Sequence, residues 1–279
     1  MPFKSVMSVL TDADFAEQAL DQASQFARSK GAHLDVLCLG VDRSQMGYYF
    51  SGASAVVVET TLNQAREEAH AIERVADTFL KKTECRWGIE TGVTQMTEVA
   101  RHVAARARFS DLIILPKPYG ENHGVEMETT VEAALFDASA AVLVVPENGK
   151  VVTNPKTITV AWNESQEALR AARAALPLLA EADLVRVLVI DPPTHGPNRS
   201  DPGGLLSTYL ARHGVRVEID VLSKSMPRVS DVLLRHAQDT EADMIVMGAY
   251  GHSRFRESIL GGATRHMLEQ AEIPVFMAH

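Results

Sequence analysis

Cysteine is nearly missing: Cys38 and Cys85 are the only two in 279 residues, and they form no CxxC spacing. A disulfide framework is therefore excluded, and both thiols, set in apolar strand-like context, are expected to be free and buried. Positive charge is also scarce. Lys and Arg number 27 against 36 Asp and Glu, a formal charge of -9, and no basic run gathers enough potential to hold a nucleic-acid backbone. No apolar run approaches the roughly 20 residues that cross a bilayer, so neither nucleic acid nor membrane is an expected partner. Met1-Pro2-Phe3-Lys4-Ser5-Val6 leads straight into an apolar alternation without a secretory leader, and the expectation is a cytoplasmic protein. The ten histidines form neither HExxH nor a compact His/Cys cluster, which leaves no dedicated metal motif. Ser165 and Ser253 lack the Gly-x-Ser-x-Gly setting of a hydrolase nucleophile.

What is present is a 46% hydrophobic chain long enough for a substantial core and for two domains. Its strongest signal is a repeat. Phe3 to Asp12 and Pro155 to Glu164 share a lysine, a short apolar strand and a polar turn, and each precedes an alanine-rich helix pattern, Ala13 to Lys30 and Ser165 to Leu179. Leu34 to Val41 and Val185 to Ile190 follow as nearly continuous apolar runs, the mark of strands covered on both faces. The halves rhyme again at Asp111-Leu112-Ile113-Ile114-Leu115 and Asp243-Met244-Ile245-Val246-Met247, and each closes on a short strand, Ala141 to Val145 and Pro274 to Met277.

Between these landmarks the first half has helix patterns at Thr61 to Lys82 and Met96 to Ala107, with a strand at Cys85 to Glu90. The second half has a Pro- and Gly-rich stretch, Asp191 to Ser200, a short helix near Gly204 to Arg212, a strand at Val215 to Leu222 and a helix at Val229 to Thr240. Pro146 to Asn154 reads as the linker. The expected architecture is α/β: a domain at 1–146 and another at 155–279, each a mostly parallel five-stranded sheet of Rossmann-like winding. Asp111 and Asp243 stand at strand starts, opposite the ends where sites form in such sheets, and are read as capping or loop hydrogen-bonding residues.

One loop lies at a site-forming end. After Met247 the chain runs Gly248-Ala249-Tyr250-Gly251-His252-Ser253-Arg254 and then Leu260-Gly261-Gly262-Ala263-Thr264 before a last helix. Glycines without Cβ and a helix N-terminus together suit oxyanions, while a purely structural turn explains the same glycines equally well. The spacing is neither a P-loop nor a dinucleotide fingerprint.

Both halves resemble the universal stress protein domain, and the chain from Phe3 to His279 resembles a tandem member of that family. Gly248, Gly251 and Gly261 match the Gly-x2-Gly-x9-Gly of its nucleotide-binding members. Gly262 stands where Ser or Thr is usual, and Thr264 matches a frequent second hydroxyl position. The resemblance implies an adenine nucleotide alpha hydrolase-like fold and ATP, with ADP or AMP as alternatives, in the second half. Phosphates would lie over Gly251, Gly261, Gly262, Ala263 and Thr264, with His252, Ser253 and Arg254 as outer contacts. Asn163, at the place of an acidic ribose ligand, would address ribose; Ala161, Trp162, Val189 and Ile190 would border adenine, with Trp162 equally explained by packing. Magnesium would arrive with ATP. In the first half Pro116-Lys117-Pro118-Tyr119-Gly120 and then Glu126 and Glu128 replace the cradle, so that half is expected to support rather than bind. No residue takes a general-base role, so efficient hydrolysis is not inferred. Tandem duplication would pair the domains within one chain, and a homodimer through free sheet edges stays open, as do a nucleotide-independent scaffold and a site for another small anion.

Overall fold

A computed structural model describes residues 3–44, 55–121, 123–146, 153–192, 200–249 and 262–279. It separates into two compact units, Phe3–Ala140 and Ala141–His279.

The first unit is built from strands β1 (Ser5–Leu10), β2 (His33–Asp42), β3 (Arg86–Gln95) and β4 (Leu112–Pro116) in the order β3-β2-β1-β4, all parallel. Helices α1 (Ala16–Lys30), α2 (Ala55–Leu80), α3 (Val99–Ala107) and α4 (Val125–Glu132), the last continued by a π-helical turn at Ala133–Asp137, cover the sheet. Two glycines show that the cover is two-sided. A Cβ on Gly40 would lie 1.9 Å from the Ala65 carbonyl oxygen of α2. One on Gly92, which pairs with Leu39 and so faces the other way, would lie 2.9 Å from His102 of α3. With both faces covered, strand residues such as Leu34, Leu37, Leu39, Ile113 and Ile114 are almost wholly buried, which is why their runs are continuously apolar.

The second unit has six strands: β5 (Val142–Val145), β6 (Thr157–Trp162), β7 (Leu184–Ile190), β8 (Val217–Leu222), β9 (Met244–Gly248) and β10 (Val275–Ala278). Their order is β5-β10-β9-β6-β7-β8, parallel except that β5 runs antiparallel to β10. Helices α5 (Gln166–Ala174), α6 (Leu176–Glu181), α7 (Gly204–Arg212), α8 (Val229–Asp239) and α9 (Gly262–Gln270) complete it. The strands form a mixed, mostly parallel arrangement rather than two discrete five-stranded sheets, and the compact units hold four and six of them. β5 closes the first half in sequence, yet its four buried residues complete the second unit by pairing with β10. A closing strand leaves an open edge, and another short apolar strand satisfies it.

The duplication is written in individual hydrogen bonds. Asp111 Oδ2 accepts from the backbone N–H of Lys4 and Ser5 at 2.7 and 3.0 Å, and Asp243 Oδ2 accepts from Lys156 and Thr157 at 2.6 and 3.0 Å. Each aspartate also donates its own N–H to the strand whose start it ties, Asp111 to Ser5 of β1 and Asp243 to Thr157 of β6, both at 2.8 Å. These carboxylates tie strand starts together, as their sequence positions suggest. At the opposite strand ends Asp12 Oδ1 accepts from Asp14 N at 2.9 Å and Asn163 Oδ1 from Ser165 N at 3.1 Å, so both first turns close in the same way.

Three local departures have simple causes. The helix pattern from Ser165 to Leu179 is two helices, because Pro177 at the start of α6 has no N–H to continue the α5 ladder. β3 extends to Gln95, past the point where Thr91 and Gly92 break the apolar run, because all ten residues pair with β2. Cys38 is buried, which pushes its thiol up to about 12, whereas Cys85 is only half-buried beside the Thr83 hydroxyl at 3.4 Å.

Candidate functional site

The crevice of the second unit lies beyond the carboxyl ends of its parallel strands. β6 ends in Ala161 and Trp162, both half-buried, and Asn163 is exposed in the turn that follows. Glu164 adopts a left-handed φ of 63°, which swings the chain into α5. Ser165 caps that helix, its side chain accepting from Ala168 N at 3.1 Å.

β9 ends in buried Met247 and in Gly248, which lies against the first turn of α5: a Cβ there would come within 2.5 Å of Ala168 N and 2.7 Å of Glu167 C. Gly248 is therefore explained by helix packing. Beyond it, Ala249 N donates to Ala278 O at 2.9 Å, and His279 Nδ1 lies 2.9 Å from Ala249 O, tying the ends of β9 and β10 together. Glu167 sits in the same first turn. Hydrogen bonding to its own backbone N–H, helped by Ser165 and by the charges of His279 and Arg170, holds its carboxyl below the usual glutamate range. Ser165, Glu167 and His279 were not singled out from the sequence as site neighbours; the Ser-x-Glu start of a helix was the available signal for the first two.

The four residues expected around adenine fall on two faces. Trp162 pairs in register with Val189, and Val189 with Val187 lies under Gly203 at the start of α7. Ala161 and Ile190 belong to the alternate set and project to the other face, that of Arg186 and Leu188. On that face Arg186 Nη1 donates to Asp220 Oδ2 at 3.1 Å, and His236 Nε2 of α8 lies 2.8 Å from the same oxygen.

At α9, Gly262 and Ala263 are exposed in the first turn, whereas Thr264 is 4% exposed. Among the described residues nothing lies within 4 Å of a Cβ placed on Gly262. Helix packing thus accounts for Gly248 but leaves Gly262 unaccounted for. His266 Nδ1 lies 2.9 Å from Ser230 Oγ and 3.5 Å from Asp231 Oδ1, which docks α9 on the first turn of α8. Gly251, His252, Ser253, Arg254 and Gly261 lie outside the described residues.

The first unit's crevice has another chemistry. Arg43, just past β2, reaches Glu126 of α4 through Nη2 at 2.6 Å and Nε at 3.2 Å, and Glu68 of α2 through Nη1 at 2.9 Å. The Glu126 side chain is 4% exposed. An acidic residue at this position is visible in the sequence, but its partner 83 positions away is not. Among the described residues no group of three or more His, Cys, Asp and Glu side chains is arranged to hold a metal ion, and no helix is long and apolar enough to cross a membrane.

Comparison with known proteins adds the family. Residues 154–279 match the model of the universal stress protein family. A universal stress protein of Synechocystis is 24% identical over 98% of both chains. A universal stress protein from Archaeoglobus fulgidus shares the fold at a TM-score of 0.68 with 14% identity, covering 98% of this chain and 95% of that one. A functionally unknown protein from Pseudomonas aeruginosa gives 0.60 with 14% identity, covering 99% and 92%. Residues 154–279, which lie in the second unit, are similar to the universal stress protein family, and the chain carries two α/β units in tandem.

Proposed function

We propose that the second domain, 155–279, binds ATP or a related adenine nucleotide, and that the protein acts in the cytoplasm as a stress-response or regulatory binding protein, with the domain at 1–146 supporting it. The observation that carries this reading is Gly262. It stands exposed at the start of α9 with open space where a side chain would be among the described residues, directly after the Gly248, Gly251, Gly261 spacing and at the place where the family usually has Ser or Thr. A glycine not required by packing suits close approach of phosphate to backbone amides. Phosphates would then lie over Gly251, Gly261, Gly262 and Ala263, with His252, Ser253 and Arg254 at the rim. Buried Thr264 would contribute by seating α9, its hydroxyl being a less direct donor than an exposed one.

Asn163 has its Oδ1 committed to Ser165 N, so its side-chain NH2 is the group for a ribose hydroxyl. Trp162 and Val189 share a face and form the better adenine wall; Ala161 and Ile190 would serve the other side of the strand ends. The residues present fit a nucleotide's oxyanions better than they fit acid-base work, so the reading is binding with at most slow hydrolysis, and magnesium comes with the nucleotide. Isothermal titration of the intact protein and of Gly261→Val with ATP, ADP and AMP tests it. Binding by the intact chain and its loss in the variant are expected; equal affinity, or none in the intact chain, refutes it. In that case the empty result favours a nucleotide-independent interaction scaffold.

A further inference from the structure

A crevice of about 350 Å³ opens in the first unit at the ends of β1 and β2 and the start of α4, bordered by Thr11, Asp12, Arg43, Glu68, Gly124 and Glu126. Arg43 is the one cation among its described lining residues. Its two carboxylate partners differ in kind. Glu68 is a rim residue, 47% exposed in its side chain, whereas Glu126 is 4% exposed and depends on Arg43 for the charge compensation a buried carboxylate requires.

The carboxylate is seated by an adjacent glycine. A Cβ on Gly124 would stand 2.2 Å from Glu126 Oε1 and 2.4 Å from Cδ, so Glu126 can fold back over residue 124 only while that residue has no side chain. Gly124 itself has an ordinary extended conformation, φ -78° and ψ 152°, open to any residue. Glycine here serves the carboxylate and not the backbone.

We propose that the Arg43–Glu126 pair is an autoinhibitory latch: the Glu126 carboxylate holds, from within the chain, the place on Arg43 that a small external phosphate-type anion would take. Charge-assisted pairing of a guanidinium with a carboxylate and with a phosphate is the same chemistry, so the two compete for one donor set. With the latch closed, two carboxylates hold the guanidinium, Asp12 also borders the crevice, and anions are repelled. This proposal concerns the first unit and stands apart from nucleotide binding in the second.

Equilibrium dialysis of the full-length chain against inorganic pyrophosphate tests the latch. Glu126→Gln keeps the shape and removes the charge; an additional pyrophosphate per chain is expected, about tenfold tighter at this site than in the unmodified protein. Adding Arg43→Gln returns the unmodified value. Gly124→Ala displaces the carboxylate while leaving both charges in the chain, and it moves binding in the same direction. Pyrophosphate held by the second unit is common to all variants and cancels in the difference, whether or not nucleotide binds there. Folding is checked by circular dichroism, and if one variant fails to fold the other decides. Either variant, folded and without gain, overturns the latch, as does a gain that survives Arg43→Gln.

Discussion

Gly248 and Gly262 look alike in the sequence and differ in what surrounds them. Adding a methyl at Gly248 drives it onto the backbone of Ala168 and Glu167, atoms that cannot rotate away, and overpacking of this kind costs about 1–3 kcal/mol. Adding one at Gly262 meets no described atom and replaces glycine in a helix, which changes stability by less than about 1 kcal/mol and in the favourable direction. Urea denaturation should therefore show a lowered midpoint for Gly248→Ala and an unchanged or raised one for Gly262→Ala, while titration with ATP shows the larger affinity loss in Gly262→Ala. The reverse pattern would remove the reason for treating Gly262 as a ligand-facing residue. Spacing picks out Gly248 and sets Gly262 directly after Gly261, at a usual Ser or Thr position, without saying whose backbone comes near either. The same limit hides the Arg43–Glu126 pair: each residue is visible, but a side-chain partnership across 83 positions depends on how α4 is set against the end of β2.

At the scale of elements, helices and strands with a clear period are legible and their interruptions less so. Pro177 could have been read as the break between α5 and α6, since a missing N–H is a property of the residue itself. The extension of β3 through Gly92 depends instead on β2 offering ten partners and on α3 placing His102 where Gly92 leaves room. That packing carries a titration. Burial, together with the nearby positive charge of Arg106, holds His102 below its ordinary value of 6.5, and its Nε2 has no hydrogen-bond partner among the described residues. The neutral imidazole is favoured in the folded chain, so its contribution is complete above 6.5 and is lost as pH falls toward the lower folded value. Glu90, held low by its hydrogen bond from Arg106, adds a second loss at more acid pH. The urea midpoint should accordingly begin to fall as pH drops below 6.5, and His102→Gln should flatten that first decline while leaving the more acid one. An unchanged profile in the variant would assign the decline to other groups.

For the whole molecule, the repeat announces two units, and the carboxylate ties of Asp111 and Asp243 show how closely the second restates the first. What the repeat cannot announce is where β5 goes. β5 closes its half as β10 closes the other, and it also pairs antiparallel with β10, so that the compact units divide between Ala140 and Ala141. Pairing at a sheet edge is a property of assembled sheets that no local pattern encodes. The consequence is a difference between two fragments. A chain of residues 141–279 retains the Val142–Val275 side of the sheet, with Val144 opposite Val275 and Val142 opposite Met277, whereas a chain of 155–279 exposes β10 along that edge. Covering Val275, Phe276 and Met277, all buried in the full chain, is worth about 2–4 kcal/mol at ordinary rates of apolar burial after part of the area is discounted for solvent. The longer fragment should unfold at the higher urea concentration. Equal midpoints would mean that β5 contributes nothing to the second unit's stability, and that the unit ends where the linker does.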